Sequence, residues 1–239
     1  LHPDQLCSTI LISTPPDEDG CPSLRAISPW LRSLESPPTW IGYLSTNGVY
    51  GDHDGDWVNE DSPRLATSIR GRRRIKAEDD WLSLGRDLEI PVKIFRLPGI
   101  YGPGRSALDT VRAGNAKRIY KEGQVFNRAH VDDIATVIRA SIDQPSEGEI
   151  FNIADDDPAP PQDVIAYACD LLGAPVPPLI PIEEANLSEM ATSFYRDNKR
   201  VYNKRMKELL NADLNYPSYK EGLKAIFSSE KEVSAMHEY

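Results

Sequence analysis

The sequence predicts an α/β fold, a parallel sheet flanked by helices, with a smaller and mainly helical C-terminal region. Three observations carry this reading. Short apolar runs alternate with amphipathic stretches through the first 155 residues, the pattern of strands joined by crossover helices. The apolar run at 40–44 ends in a hydroxyl pair, Ser45-Thr46, and an Asn-Gly break. A buried strand of a parallel sheet ends this way when it delivers polar groups at its carboxyl edge. The last third changes character: a proline-rich connection at 175–181 leads into helical segments near 183–194, 203–210 and 218–228.

Taken in order, residues 9–16 read as a buried strand (Ile10, Leu11, Ile12) stopped by Pro15 and Pro16. Residues 24–35 suit a helix, since Leu24, Ile27, Leu31 and Leu34 fall on one face. The strand at 40–46 follows, and then a polar stretch, Asp52 to Pro63, that reads as a surface excursion. From 68 to 88, Arg70, Arg74, Ala77, Trp81, Leu84 and Leu88 recur at alternating intervals of four and three and share a helix face. Val92–Leu97 is the next strand, ahead of the turn Pro98-Gly99-Ile100-Tyr101-Gly102-Pro103-Gly104, and 105–116 suits a short helix. An extended stretch at 125–131 precedes a helix at 132–142 with Ile134, Val137, Ile138 and Ser141 inward. A strand at 149–153 and a helix at 162–173, closed by Gly173, complete the alternation.

Composition limits the function classes. The 239 residues are 40% hydrophobic and 27% charged, with a formal net charge of -10 spread along the chain. That balance argues against nucleic acid, which wants a basic stripe, and against anionic membrane surfaces. Three cysteines (Cys7, Cys21, Cys169) and four histidines (His2, His53, His130, His237) show no metal-ligand spacing. They fit structural thiols in a reducing compartment, cytoplasm or organelle matrix or stroma. No apolar run approaches the ~18 residues of a membrane span.

Ser45-Thr46-Asn47-Gly48-Val49-Tyr50-Gly51, Arg96-Leu97-Pro98-Gly99-Ile100-Tyr101-Gly102-Pro103-Gly104 and His130-Val131-Asp132-Asp133 occur in this order along the chain. Together they resemble the extended and atypical short-chain dehydrogenases, the NAD-dependent epimerase/dehydratase-like family. The resemblance implies a Rossmann-like sheet over residues 1–155 that binds NAD or NADP, with 98–127 partly a substrate region, and a substrate-binding region over 156–239. It places the catalytic hydroxyl at Thr46, with Ser45 beside it, and Asn47 next to the substrate. The acidic pair that performs elimination in dehydratases is replaced by Asn47 and Gly48, which speaks against dehydration. Ser13, Thr14 and Pro15 fall where the family's strand end meets the adenosine half of the cofactor, unless those hydroxyls only cap backbone groups. Leu97, Pro98 and Gly99 fall where the backbone passes the nicotinamide, and the alternative is a plain tight turn.

Two departures qualify the resemblance. Alignment on Gly71 and Glu78 puts Arg70 and Arg74 at the family's Tyr and Lys. Arginine stays protonated at any working pH, so Arg70 is no acid/base. Arg74 keeps the charge that binds a ribose hydroxyl or phosphate, and Arg70 suits a substrate anion. The alternative is a solvated basic first turn. Atypical members with an Arg-Gly-Arg run here are the subgroup the chain is similar to. The second departure is the lack of a Gly-x-x-Gly-x-x-Gly loop. The chain reads as the family without its N-terminal βαβ unit.

Arg128, His130 and Asp132 match a further family element. There Arg128 reaches a substrate phosphate, His130 is a packed residue rather than a catalyst, and Asp132 or Asp133 caps a helix. Tyr50 and Tyr101 are acid/base candidates by chemistry, though their turn positions suit structure. The expected function is an NAD(P)-dependent oxidoreductase or epimerase acting on a small polar or sugar-nucleotide-like substrate. The alternatives are a catalytically inactive binding or assembly subunit, homodimeric or within a larger complex, and a redox sensor that binds NADPH without turnover. No metal is expected.

Overall fold

The structure, a computed structural model, describes residues 8–144 and 149–236. Cys7, His2 and His237 lie outside the described residues. The elements run β1 (Thr9–Ile12), α1 (Pro22–Ser33), β2 (Trp40–Thr46), β3 (Trp57–Val58), α2 (Ile69–Leu88), β4 (Val92–Leu97) and β5 (Gly99–Tyr101). They continue with α3 (Ala107–Arg112), β6 (Arg118–Tyr120), β7 (Arg128–His130), α4 (Val131–Asp143), β8 (Ile150–Asn152) and α5 (Pro161–Leu172). The last are β9 (Leu179–Pro181), α6 (Glu189–Phe194), β10 (Arg200–Val201), α7 (Lys204–Leu210) and α8 (Tyr219–Met236).

Among the described residues the main sheet is four-stranded and parallel, in the order β1-β2-β4-β8. Side chains alternate across it, as the period of two requires. Ile41, Tyr43, Val92 and Ile94 pack on one face with Leu31 of α1 and with Ala77, Trp81 and Leu84 of α2. Trp40, Phe95, Leu97 and Phe151 pack on the other with Ile134, Val137 and Ile138 of α4 and with Met206 and Leu210 of α7. The sheet is therefore covered on both sides, as parallel sheets are. The C-terminal helix α7 belongs to this core even though its sequence lies far from the strands.

Several expectations need correction. The polar stretch 52–63 is not a plain surface excursion. Within it Val58 and Glu60 are buried, and β3 pairs in parallel with β10, whose Val201 lies opposite Val58. The expected helix over 183–194 is a short 3-10 turn, Ile182–Glu184, followed by the six-residue α6. The cap of α4 is neither Asp132 nor Asp133: His130 occupies the cap position and its Nδ1 accepts the Asp132 amide at 3.2 Å. Asp133 is free to do something else. Its carboxylate accepts the Asn215 and Tyr216 amides at 2.7 and 3.1 Å and fixes the approach to α8.

Candidate functional site

The carboxyl edge of the sheet gathers most of the residues singled out by sequence. Thr46 ends β2 opposite Leu97, which ends β4, so Pro98 and Gly99 follow directly beside it. A 3-10 turn at Asn47–Tyr50 closes β2, and Gly51 ends that turn with φ of 71°, where a side chain is strained. The N-terminus of α2 packs on this turn. A Cβ on Gly71 would stand 2.5 Å from the Ala66 Cβ and 3.3 Å from the Gly48 carbonyl, so only glycine allows the approach.

Strand alternation separates the two candidate hydroxyls. Ser45 turns toward α2, where it is buried and donates to Glu78 Oε1 at 2.5 Å. It does not join Thr46 at the edge. Thr46 Oγ1 accepts the Gly48 amide at 3.1 Å and is half-buried. That bond uses a lone pair and leaves the hydroxyl proton to donate outward.

Beneath Ser45 lies a polar network. Arg96, register partner of Ser45, sends Nη2 to Glu78 Oε2 at 2.8 Å and Nε to Oε1 at 3.2 Å. Its Nη1 reaches the Tyr50 hydroxyl at 2.9 Å, and that hydroxyl donates to Asn152 Oδ1 at 2.7 Å. The Asn152 amide in turn donates to Glu60 at 2.9 Å. All of these side chains are buried, and each charge is met by a partner, as burial demands. Burial pushes the Tyr50 phenol up to about 12 and raises Tyr101 as well. Burial thus favours the neutral phenol at both positions, and both side chains are packed in the interior.

Arg74 is half-buried. Its Nη1 donates to the Leu44 carbonyl at 2.7 Å and meets the Tyr43 hydroxyl at 3.1 Å. Arg70, by contrast, is exposed, and no partner meets it among the described residues. Asn47 is half-buried beside Thr46. At the end of β1, Ser13 and Pro15 are exposed, while the Thr14 hydroxyl lies 2.5 Å from Ser23 Oγ of α1. That contact joins two side chains and caps no backbone group of α1.

Arg128 lies elsewhere. Paired with Gly99 through β5 and β7, it lines a cavity of about 710 Å³ between α3, α5 and α8. Thr46, Arg70 and Arg74 do not line this cavity. Behind Arg128, the buried Asp155 donates its amide to the Arg128 carbonyl at 2.7 Å. Neither of its carboxylate oxygens has a hydrogen-bond partner among the described residues. Burial, only partly countered by the Arg128 charge, pushes this carboxyl up to about 8. His130 packs edge-on to Tyr101 and against Tyr216, and burial lowers its pKa. It is a packed residue.

One segment ties the two regions together. The Asn198 carbonyl accepts the His53 and Gly55 amides, each at 3.0 Å, and its amide donates to Asp52 at 2.7 Å. Its side chain faces the other way, donating to the Gly123 carbonyl at 3.0 Å and accepting the Val125 amide at 3.2 Å. Next to it, buried Lys199 donates to the Gly51 carbonyl at 2.7 Å, and its own carbonyl accepts from Asn127 at 3.0 Å.

Sequence reasoning used Glu78 only to align the helix and passed over Arg96, Asp155, Asn198 and Lys199. Two signals were present: an arginine inside a strand of apolar neighbours, and a glutamate one residue from Ala77 on the packed side of α2. Among the described residues no three His, Cys, Asp or Glu side chains gather as a metal would require. No helix among them is long and apolar enough to cross a membrane.

No protein-family model and no curated protein matches the sequence. Solved structures do. A functionally unknown conserved protein from Silicibacter pomeroyi is 46% identical over 96% of this chain and 82% of its own, with a TM-score of 0.87. A dTDP-glucose 4,6-dehydratase from Bacillus anthracis, in complex with NAD, shares the fold at a TM-score of 0.74 and 17% identity. It covers 94% of this chain and 73% of its own. A human epimerase family protein with NADPH does so at a TM-score of 0.73 and 15% identity, over 94% and 83%. The chain thus belongs to the family of the functionally unknown Silicibacter pomeroyi protein, and it shares its fold with NAD- and NADPH-bound proteins of the epimerase and dehydratase type.

Proposed function

We propose that the chain is an NAD(P)-dependent oxidoreductase or epimerase acting on a small polar substrate, with Thr46 orienting the reacting oxygen. The observation that carries this reading is the state of that hydroxyl. Its lone pair is fixed by the Gly48 amide while its proton stays available at the carboxyl edge of the sheet, where α/β folds bind ligands. A hydroxyl held this way donates to a substrate oxygen as charge develops on it.

The residues at this edge fit the nicotinamide half of a dinucleotide. Gly99 is exposed beside Thr46, and its bare backbone lets a flat ring approach. Arg74, anchored on the Leu44 carbonyl, offers a fixed cation for a ribose hydroxyl or phosphate. Ser13, Thr14 and Pro15 lie at the end of β1, on the side assigned to the adenosine half. Among the described residues no glycine-rich strand-to-helix turn supplies donors for the pyrophosphate. Bound here, the cofactor would supply or accept hydride. The fold relatives bound to NAD and NADPH support the cofactor class. In this reading Asn47 and Arg70 border the substrate, and Pro161, Val164, Ile165, Tyr219 and Leu223 of the C-terminal region line part of the cavity that Arg128 also lines.

One observation favours a second reading, binding without turnover. The position of the usual acid/base is the exposed guanidinium of Arg70, and both nearby phenols are buried with raised pKa values. Titration of the protein with NADH and NADPH, followed by melting temperature, tests the cofactor. A rise with either one supports the proposal, and no rise with both removes it. Oxidation of the bound reduced cofactor by polar carbonyl compounds, lost in Thr46→Ala, then separates the enzyme from the sensor.

A further inference from the structure

We propose that Asn47 is a site of spontaneous hydrolytic modification at the carboxyl edge of the sheet, and that the Thr46 hydroxyl oxygen holds the reaction back. The inference is independent of the reading above and needs neither cofactor nor substrate. Asn47-Gly48 is the one Asn-Gly pair in the sequence. In such a pair the glycine nitrogen can attack the side-chain amide carbon of the asparagine, because no side chain on the following residue hinders it. The bond from the Gly48 nitrogen to Asn47 Cγ forms, and the bond from Cγ to the side-chain nitrogen breaks. Ammonia leaves with the proton that the Gly48 nitrogen gives up. Water then opens the cyclic imide at either carbonyl, and aspartate or isoaspartate remains at position 47. Water is the only co-reactant.

Three observations put this reaction under the control of the turn. The Asn47 side chain is half-buried and has no hydrogen-bond partner among the described residues, so its amide carbon is neither sealed from water nor anchored. The nucleophile, by contrast, is engaged. The Gly48 amide donates to Thr46 Oγ1 at 3.1 Å, and the Gly48 carbonyl accepts the Gly51 amide at 3.3 Å. These bonds hold Asn47–Tyr50 in its 3-10 turn, with ψ of Asn47 in the helical range. The imide ring closes only when that angle opens and the amide proton is released, so local opening of the turn is the gate. Finally, the turn itself would accept a side chain at position 48. A Cβ there would stand 3.4 Å from Thr46 Oγ1 and 3.5 Å from its Cγ2, which is ordinary contact. At Gly51 a Cβ would meet the Leu65 carbonyl at 2.5 Å. The product would set a carboxylate beside Thr46, opposite the end of β4, and isoaspartate would lengthen the backbone there by a methylene. The edge would thus gain negative charge as the protein ages.

Mass mapping of the peptide that carries Asn47 tests the proposal. Protein is held at mildly alkaline pH well below its melting temperature, and aliquots are digested in acid, where the ring does not close. The same chain unfolded in urea is the reference for an unguarded pair, and the native protein is expected to convert at least about tenfold more slowly. Thr46→Val keeps the shape and removes the acceptor, and it is expected to speed native conversion about fivefold. Thr46→Ser restores the oxygen and is expected to return the slow rate, which separates the hydrogen bond from a general loosening of the strand end. Gly48→Ala is expected to slow conversion at least about tenfold in the unfolded chain. Native protein that converts as fast as the unfolded chain overturns the inference. So does a Thr46→Val rate equal to that of wild type, a Thr46→Ser rate as fast as that of Thr46→Val, or conversion in urea that Gly48→Ala leaves unchanged.

Discussion

The Ser45 hydroxyl sits 2.5 Å from Glu78 Oε1, while its neighbour Thr46 is turned away from α2 with its proton unspent. The two hydroxyls of one dipeptide therefore do different work. Ser45→Ala is expected to lower stability by about 1–2 kcal/mol, because a buried carboxylate loses a donor. Thr46→Ala, at a half-buried strand end, is expected to cost less than about 1 kcal/mol yet abolish turnover. Chemical denaturation of both variants beside a turnover assay checks the division.

Glu78 and Arg96 are both sealed from solvent and joined by two hydrogen bonds. Removing one partner strands the other charge. Glu78→Ala is expected to destabilise the protein by about 3–5 kcal/mol. Replacing the pair together with apolar residues of similar volume is expected to recover most of that loss. Urea melts of the single and double variants measure the difference.

How much of this was legible beforehand depends on the range of the interaction. β4 was expected at Val92–Leu97 and lies there, and the four inward residues of α4 are buried as their spacing required. Local periodicity carries such elements. The pairing of β3 with β10 joins two dipeptides separated by more than half the chain, and nothing local marks either. The same holds at the site: a hydroxyl before a turn is readable, whereas its division of labour with Ser45 depends on which helix lies over each face. The cations that line the cavity, Arg105, Lys117 and Arg128, come from the loop before α3, from the segment before β6 and from β7, and only the fold brings them to one cavity.

Asp155 gives the stability a pH signature. Its carboxyl ionises near 3.8 in an exposed chain and at about 8 in the fold. Between these values the folded state holds a proton that the unfolded state has released, so stability falls as pH rises through the window. Asp155→Asn removes the titration. Its stability curve is expected to be flatter between about pH 4 and 8, with the wild type losing on the order of a few kcal/mol across that range. Thermal melts in a buffer series read this directly.

Asn198 spends its side chain on the Gly123 carbonyl and the Val125 amide. Asn198→Ala is expected to cost about 1–3 kcal/mol and to speed hydrogen exchange at the Val125 amide. Mass-resolved exchange of the 120–130 segment, compared with the core strand β4, distinguishes this local loosening from global unfolding.

The grip of Lys199 on Gly51 has a consequence for the order in which the protein is completed. The two residues stand 148 positions apart, so the turn behind Thr46 acquires its last tether only when most of the chain has been made. Closing so long a loop is slow and entropically costly, and it comes after the local helices and the adjacent strands have formed. During synthesis from the N-terminus, β2 would emerge and pair long before the turn that follows it is locked. The turn at the end of β2 would then take its final shape late, with the arrival of a lysine distant in sequence from it.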